Sequence, residues 1–146
     1  MSIVVQAEIS RPVEEVFDYV TDPSRFSEWQ ANVTGGHMSP GPAQVGSMCT
    51  TTRRIGGAER EVTSRLVTMD PPRAWGVRGV DGPIRSIVNV TVEPLDSGDG
   101  SRVTIDLDFS GHGIAKVLVP LVVRPQSRKE MRANIARLKD RLEDGT

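Results

Sequence analysis

The chain has 146 residues, with 18 basic and 19 acidic side chains and a single cysteine. That is the size of one domain, able to bury about two thirds of its unfolded surface. The balanced charge gives no reason to expect nucleic acid as a partner, one cysteine excludes a disulfide framework or a CxxC metal or redox pattern, and no apolar run approaches the roughly 18 residues of a membrane span.

Residues Ile3 to Ile9 alternate, with Ile3, Val5, Ala7 and Ile9 on one face and Gln6 and Glu8 on the other. This predicts a half-buried strand. Pro12 suits a helix start, Glu14 and Glu15 suit its first turn, and Val13, Val16, Phe17 and Val20 form an apolar stripe at helical spacing. Asp22-Pro23 repeats the start signal, and Phe26 and Trp29 project on one side of a second short helix. Val33 to Met38 and Val45 to Ile55 read as strands. Gly56-Gly57 is the best hairpin turn in the chain. Ala58 to Met69 returns, with Val62 and Leu66 on one side and Glu61, Thr63 and Arg65 on the other. Strands then follow over Arg73 to Val80, Ile84 to Val92 and Val103 to Phe109. The last shows the cleanest alternation: Val103, Ile105, Leu107 and Phe109 against Thr104, Asp106, Asp108 and Ser110. The turns between them are Asp70-Pro71-Pro72, Asp81-Gly82-Pro83 and the polar loop Asp96 to Gly100. A helix is predicted from about Ala115 to Leu142, kinked or broken between Pro120 and Pro125. Its regular part carries Met131, Ile135, Leu138 and Leu142 on one stripe. Hairpin-length turns make the strands an antiparallel meander, and only the last helix is long enough to cover its apolar face.

This order, together with Ile9-Ser10-Arg11-Pro12-Val13-Glu14-Glu15-Val16-Phe17, Asp22-Pro23-Ser24-Arg25-Phe26-Ser27-Glu28-Trp29, Asp70-Pro71-Pro72-Arg73, Gly100-Ser101-Arg102-Val103 and the final helix from Lys129 to Lys139, resembles the START-like (SRPBCC, birch-pollen-allergen-like) superfamily. It looks most similar to the bacterial polyketide cyclase/dehydrase and lipid-transport family. The resemblance spans essentially the whole chain. It implies an α+β helix-grip fold in one domain: a curved seven-stranded antiparallel sheet wrapped around a long C-terminal helix, with two short helices between strands 1 and 2. It also implies a cavity between sheet and helix. Similar members bind lipids, sterols, polyketides or plant hormones, and some are aromatase/cyclases. A fold with so many uses does not choose among them.

The expected cavity walls are Val62, Leu66, Trp75, Val77, Val88, Val90, Ile105, Leu107 and Phe109 on the sheet and Leu118, Leu121, Val122 and Met131 on the helix. A plainly packed core would leave the same alternation. Ser64 and Gly79 interleave with these bulky positions and leave room. The third strand offers either Met48, Thr50 and Thr52 or Cys49, Thr51 and Arg53 to the inside, and its mixed faces do not decide which. Arg78 and Asn89 fall on the outer parity unless a bulge reverses it. His112, between two glycines, together with Arg78 and Cys49, completes a short set of catalytic candidates. His37 and His112 lack neighbours at metal-ligand spacing, so no metal site is expected. Asp96-Ser97-Gly98-Asp99-Gly100 lacks an EF-hand's register and closing glutamate. Arg53, Arg54 and Arg60 cluster at one hairpin, either as a charged turn that blunts the sheet end or as a dock for an anionic headgroup or a carrier protein.

The function expected is binding of a small apolar ligand, lipid-like or aromatic. The alternatives are a polyketide cyclase/dehydratase and a protein-interaction or toxin-antitoxin accessory module. No cofactor is expected, nor a membrane span. A monomer or weak homodimer and a cytoplasmic location complete the expectations, the last because the first residues carry no targeting signal.

Overall fold

Strand pairing converts the alternation in the sequence into two faces. The computed structural model describes residues 3–55, 57–80, 84–96, 99–111 and 124–144. Among them the elements run β1 (Ile3–Ile9), α1 (Val13–Val20), a 3₁₀ helix (Pro23–Glu28), β2 (Val33–Met38), β3 (Met48–Ile55), β4 (Ala58–Asp70), β5 (Ala74–Gly79), β6 (Ile84–Pro94), β7 (Ser101–Gly111) and α2 (Arg124–Glu143). The strands form one antiparallel sheet in the order β1-β7-β6-β5-β4-β3-β2. This is the helix-grip arrangement, a curved half-barrel wrapped around the C-terminal helix. Strands β2 to β7 are nearest neighbours in sequence, as a meander requires. Only β1 and β2 lie on opposite edges, so the chain between them must cross the sheet, and α1 and the 3₁₀ helix make that crossing.

Local chemistry explains the crossing. Pro12 caps α1 in an extended conformation, and Val16, Phe17, Tyr19 and Val20 are buried beneath it. The Asp22 carboxylate accepts the Ser24 backbone N–H at 3.0 Å, with Pro23 in the first helical position. The 3₁₀ helix lies so close to β2 that a Cβ on Gly36 would sit 2.6 Å from the Pro23 carbonyl oxygen. Only glycine fits there.

Several boundaries differ from the sequence reading. β3 begins at Met48, not Val45, because the Ser47 N–H donates to the Gln44 carbonyl at 2.9 Å and the Ser47 hydroxyl accepts the Gln44 N–H, closing a turn. β5 begins at Ala74, because Arg73 N–H donates back to the Asp70 carbonyl. Pro125 is the second described residue of α2. The expected helix before residue 124, its kink at Pro120 and the turn Asp81-Gly82-Pro83 lie outside the described residues. So does Gly56. Pairing of Ile55 with Ala58 closes the predicted hairpin, with Gly57 at φ +83°.

On the inner face Ile9, Val103, Val92, Leu66 and Trp75 meet Ile135, Leu138 and Leu142 of α2, all buried. At the end of the molecule where β1 stops, this core is sealed by polar clasps. The Ser10 N–H donates to a Glu143 carboxylate oxygen at 3.0 Å. Arg11 donates through Nε to the Leu142 carbonyl at 2.8 Å and through Nη2 to that of Glu143 at 3.3 Å. A guanidinium on the last carbonyls of α2 complements the negative helix end. Buried Ser101 donates to the Arg11 carbonyl at 2.7 Å.

Candidate functional site

The inner face changes character along the strands. Near Ile9, Val92 and Val103 side chains are at most 1% exposed. Toward the β3–β4 hairpin the inward positions Val62, Val88, Leu107 and Phe109 are only half-buried, as is Met131 on α2. The small pair Ser64 and Gly79 lies opposite one another across β4 and β5. A cavity of about 320 Å³ opens where α1 and the 3₁₀ helix meet the sheet. Its apolar lining comes from Phe17, Pro23, Met38, Met69 and Trp75, with Asp18 and Asp22 beside them. That volume lies within the usual range for a small-molecule cleft.

Met69 reaches this cavity because of a bulge. The β4–β5 register slips between Leu66 and Thr68, so two β4 residues oppose one on β5. Val67 is turned outward, 42% exposed, and Met69 pairs with Trp75 on the inner face. Periodicity counted from Leu66 would have placed Thr68 inward instead. No local signal marks the slip, so the sequence reading missed Met69; Met38 and Phe17 were missed because they line the cavity from β2 and α1, not from the sheet face opposite the last helix.

Register also settles β3. Cys49 pairs with Ser64, Thr51 with Val62 and Arg53 with Arg60, so Cys49, Thr51 and Arg53 face inward. Arg53 donates through Nε to Thr51 Oγ1 at 3.1 Å and through Nη1 to Gln30 Oε1 at 3.4 Å. Burial holds its pKa below the ordinary arginine value, against the pull of Cys49 and of Glu130 on α2. Burial likewise pushes the Cys49 thiol up to about 11, opposed by the Arg53 charge. Beside Gln30, the Trp29 ring packs edge-on against Phe26 with centroids 5.8 Å apart, and Phe26 packs edge-on against Trp75. Trp29 Nε1 is buried without an acceptor among the described residues.

The sequence profile of the family described as polyketide cyclase / dehydrase and lipid transport matches residues 1–143. The chain belongs to this family. No curated protein matches the sequence. Among solved structures, a Thermus thermophilus protein superposes with a TM-score of 0.79 at 15% identity, covering 100% of both chains. A Deinococcus radiodurans protein gives 0.72 at 13% identity over 100% of this chain and 99% of its own. The di-domain ARO/CYC BexL of the BE-7585A biosynthetic pathway gives 0.71 at 17% identity, covering 96% of this chain and 49% of BexL. At such identities the likeness is one of fold.

In this member of the polyketide cyclase/dehydrase and lipid-transport family, the expected wall residues divide into two groups. Leu66, Trp75, Val77, Val90 and Ile105 are buried in the core, and of these Trp75 also lines the cavity. Val62, Val88, Leu107, Phe109 and Met131 are the half-buried remainder. Leu118, Leu121 and Val122 lie outside the described residues, as does His112. Arg78 is exposed on the outer face, because the bulge falls in β4 and leaves the parity of β5 intact. The three catalytic candidates are therefore not gathered by the described residues: Cys49 is inside and Arg78 outside. Among the described residues no group of three His, Cys, Asp or Glu could hold a metal, and no helix is long and apolar enough to cross a membrane.

Proposed function

We propose that the protein binds a small apolar molecule between the sheet and the C-terminal helix and releases it unchanged. The observation that carries this reading is the half-buried apolar inner face around Val62, Val88, Leu107 and Phe109; the cavity lined by Phe17, Met38, Met69 and Trp75 lies apart from it, under α1 and the 3₁₀ helix. Burial of apolar surface, near 25 cal/mol per Å², is what such walls offer a ligand. About 330 Å² would supply the roughly 8 kcal/mol of micromolar binding in raw transfer terms, and association costs raise the area needed.

A cyclase or dehydratase would need an acid or base placed against a carbonyl or enol. The inward thiol of Cys49 is held protonated at neutral pH, and Arg78 faces solvent, which favours binding over turnover. The test is native mass spectrometry of the protein before and after incubation with a mixed cell extract. A retained or captured compound that emerges unchanged is the expected result. A captured compound released dehydrated or cyclised would overturn it in favour of the enzyme reading.

A further inference from the structure

The hairpin arginines that look alike in the sequence are split by the sheet. Arg54 and Glu59 oppose one another on the outer face and form an ion pair at 3.9 Å. Arg53 and Arg60 oppose one another on the inner face. Like charges directly opposite across a ladder destabilise it, and among the described residues neither of these two forms an ion pair. Arg60 is exposed and Arg53 is drawn in. The partners Arg53 does have, Thr51 Oγ1 and Gln30 Oε1, are neutral. A guanidinium removed from water beside neutral groups keeps a large part of its desolvation cost.

The surplus is of donors. Thr51, buried, uses its oxygen to accept from Arg53, which leaves its O–H to donate. Trp29, the residue before Gln30, carries a buried Nε1–H with no acceptor among the described residues. The guanidinium itself has five N–H groups and can accept nothing. Val62 pairs with Thr51 across the ladder and is half-buried, the first of the half-buried apolar positions that continue across the inner face to Val88 and Phe109. The group that would complete the set is an acceptor with negative charge, joined to an apolar body. A planar guanidinium recognises carboxylate and phosphate oxygens by the same paired geometry.

We propose that Arg53, assisted by Thr51 and by Arg60 at the hairpin mouth, binds the oxyanion of an amphipathic ligand, a carboxylate or a phosphate, whose apolar body lies along the inner face. This rests on the apolar-binding reading and narrows it to acidic ligands. Glu130 on α2, which acts on Arg53 electrostatically, is the competing negative charge that the ligand would outweigh.

The test titrates the full chain with decanoate, decyl phosphate and decanol, following tryptophan fluorescence. The wild type is expected to bind at least one of the two anions about tenfold or more tighter than the alcohol. Preference for one anion over the other assigns the headgroup. R53M is expected to erase the difference while still binding decanol, R60Q to reduce it, and R54M, on the outer face, to leave it intact. Equal affinity of the wild type for anions and alcohol would overturn the oxyanion site and leave apolar binding standing. So would an anion preference that survives in folded R53M. Absence of binding by all three probes would overturn the apolar-binding reading and this inference together. The wild-type comparison of anion with alcohol decides the matter even if R53M does not fold.

Discussion

The two ends of the sheet are made from the same alternating strands and yet behave as different materials. Where β1 stops, Ile9, Val92, Val103, Leu138 and Leu142 close on one another, and the polar groups of Ser10, Arg11, Ser101 and Glu143 satisfy each other around the seam. Toward the β3–β4 hairpin the same strands present Val62, Val88 and Phe109 half-buried, small Ser64 and Gly79, and a guanidinium with neutral partners. One end is completed by its own side chains. The other holds groups that water or a ligand must complete. The tightly packed end and the half-buried end are thus distinct parts of one core, and Phe17 and Trp75 belong both to the packing and to a cavity wall.

The largest effects should separate these ends. Phe17→Ala, at a side chain only 2% exposed, is expected to lose about 3–5 kcal/mol, and Leu138→Ala about 2–5 kcal/mol, in a denaturant melt. Trp29→Ala, in the aromatic row between the ends, belongs with them at about 3–5 kcal/mol. Leu107→Ala, half-buried at the hairpin end, should lose less than about 2 kcal/mol because less surface and packing is removed. Equal losses at Leu138 and Leu107 would erase the contrast.

A middle-sized effect tests the clasp. Arg11→Ala removes two hydrogen bonds from a charged group to the last carbonyls of α2, and about 1.5–3 kcal/mol should go with them. A loss below about 0.5 kcal/mol would show that the helix end is held by packing alone.

The sign should reverse at the open end. Arg53→Met exchanges a desolvated charge for an apolar side chain of similar length. Such exchanges are often neutral or stabilising, so the midpoint of unfolding is expected to stay or rise. A fall of more than about 2 kcal/mol would mean that the contacts with Thr51 and Gln30 outweigh desolvation, and that Arg53 belongs with the structural residues.

The smallest effect is in pH. Glu143 accepts the Ser10 backbone N–H and faces Lys139, so its pKa lies below the ordinary 4.5. At Glu28 burial pushes up, but hydrogen bonds from Tyr19 and Arg25 outweigh it and the net direction is also down. A carboxyl whose folded pKa is depressed contributes stability above its unfolded pKa and loses it as pH falls through the folded one. Unfolding midpoints should therefore be level above pH 4.5 from these two groups and decline below it. Glu143→Gln should lower the midpoint at neutral pH and flatten part of that decline. A decline unchanged in Glu143→Gln would place the acid sensitivity elsewhere.

The sequence by itself determined the element order, the antiparallel meander of the later strands and the identity of their apolar face. Each follows from local signals of short range: period-two alternation in β1 and β7, the Asp22-Pro23 start, the Gly56-Gly57 turn, and the Met131-Ile135-Leu138-Leu142 stripe. It left the inward face of β3 open, because Met48-Cys49-Thr50-Thr51-Thr52-Arg53 is mixed on both parities and alternation has nothing to sort. Nor did it reveal that Met69 rather than Thr68 faces inward. Tertiary structure decided both. Cross-strand register ties the parity of β3 to that of β4, and the bulge at Val67 changes parity midway through a strand whose residues look regular. The same register separated Arg53 and Arg60 from Arg54. Arg53 and Arg54 are adjacent in the chain, and only the register sets one guanidinium on the outer face against Glu59 and the other on the inner face beside Thr51 and Gln30.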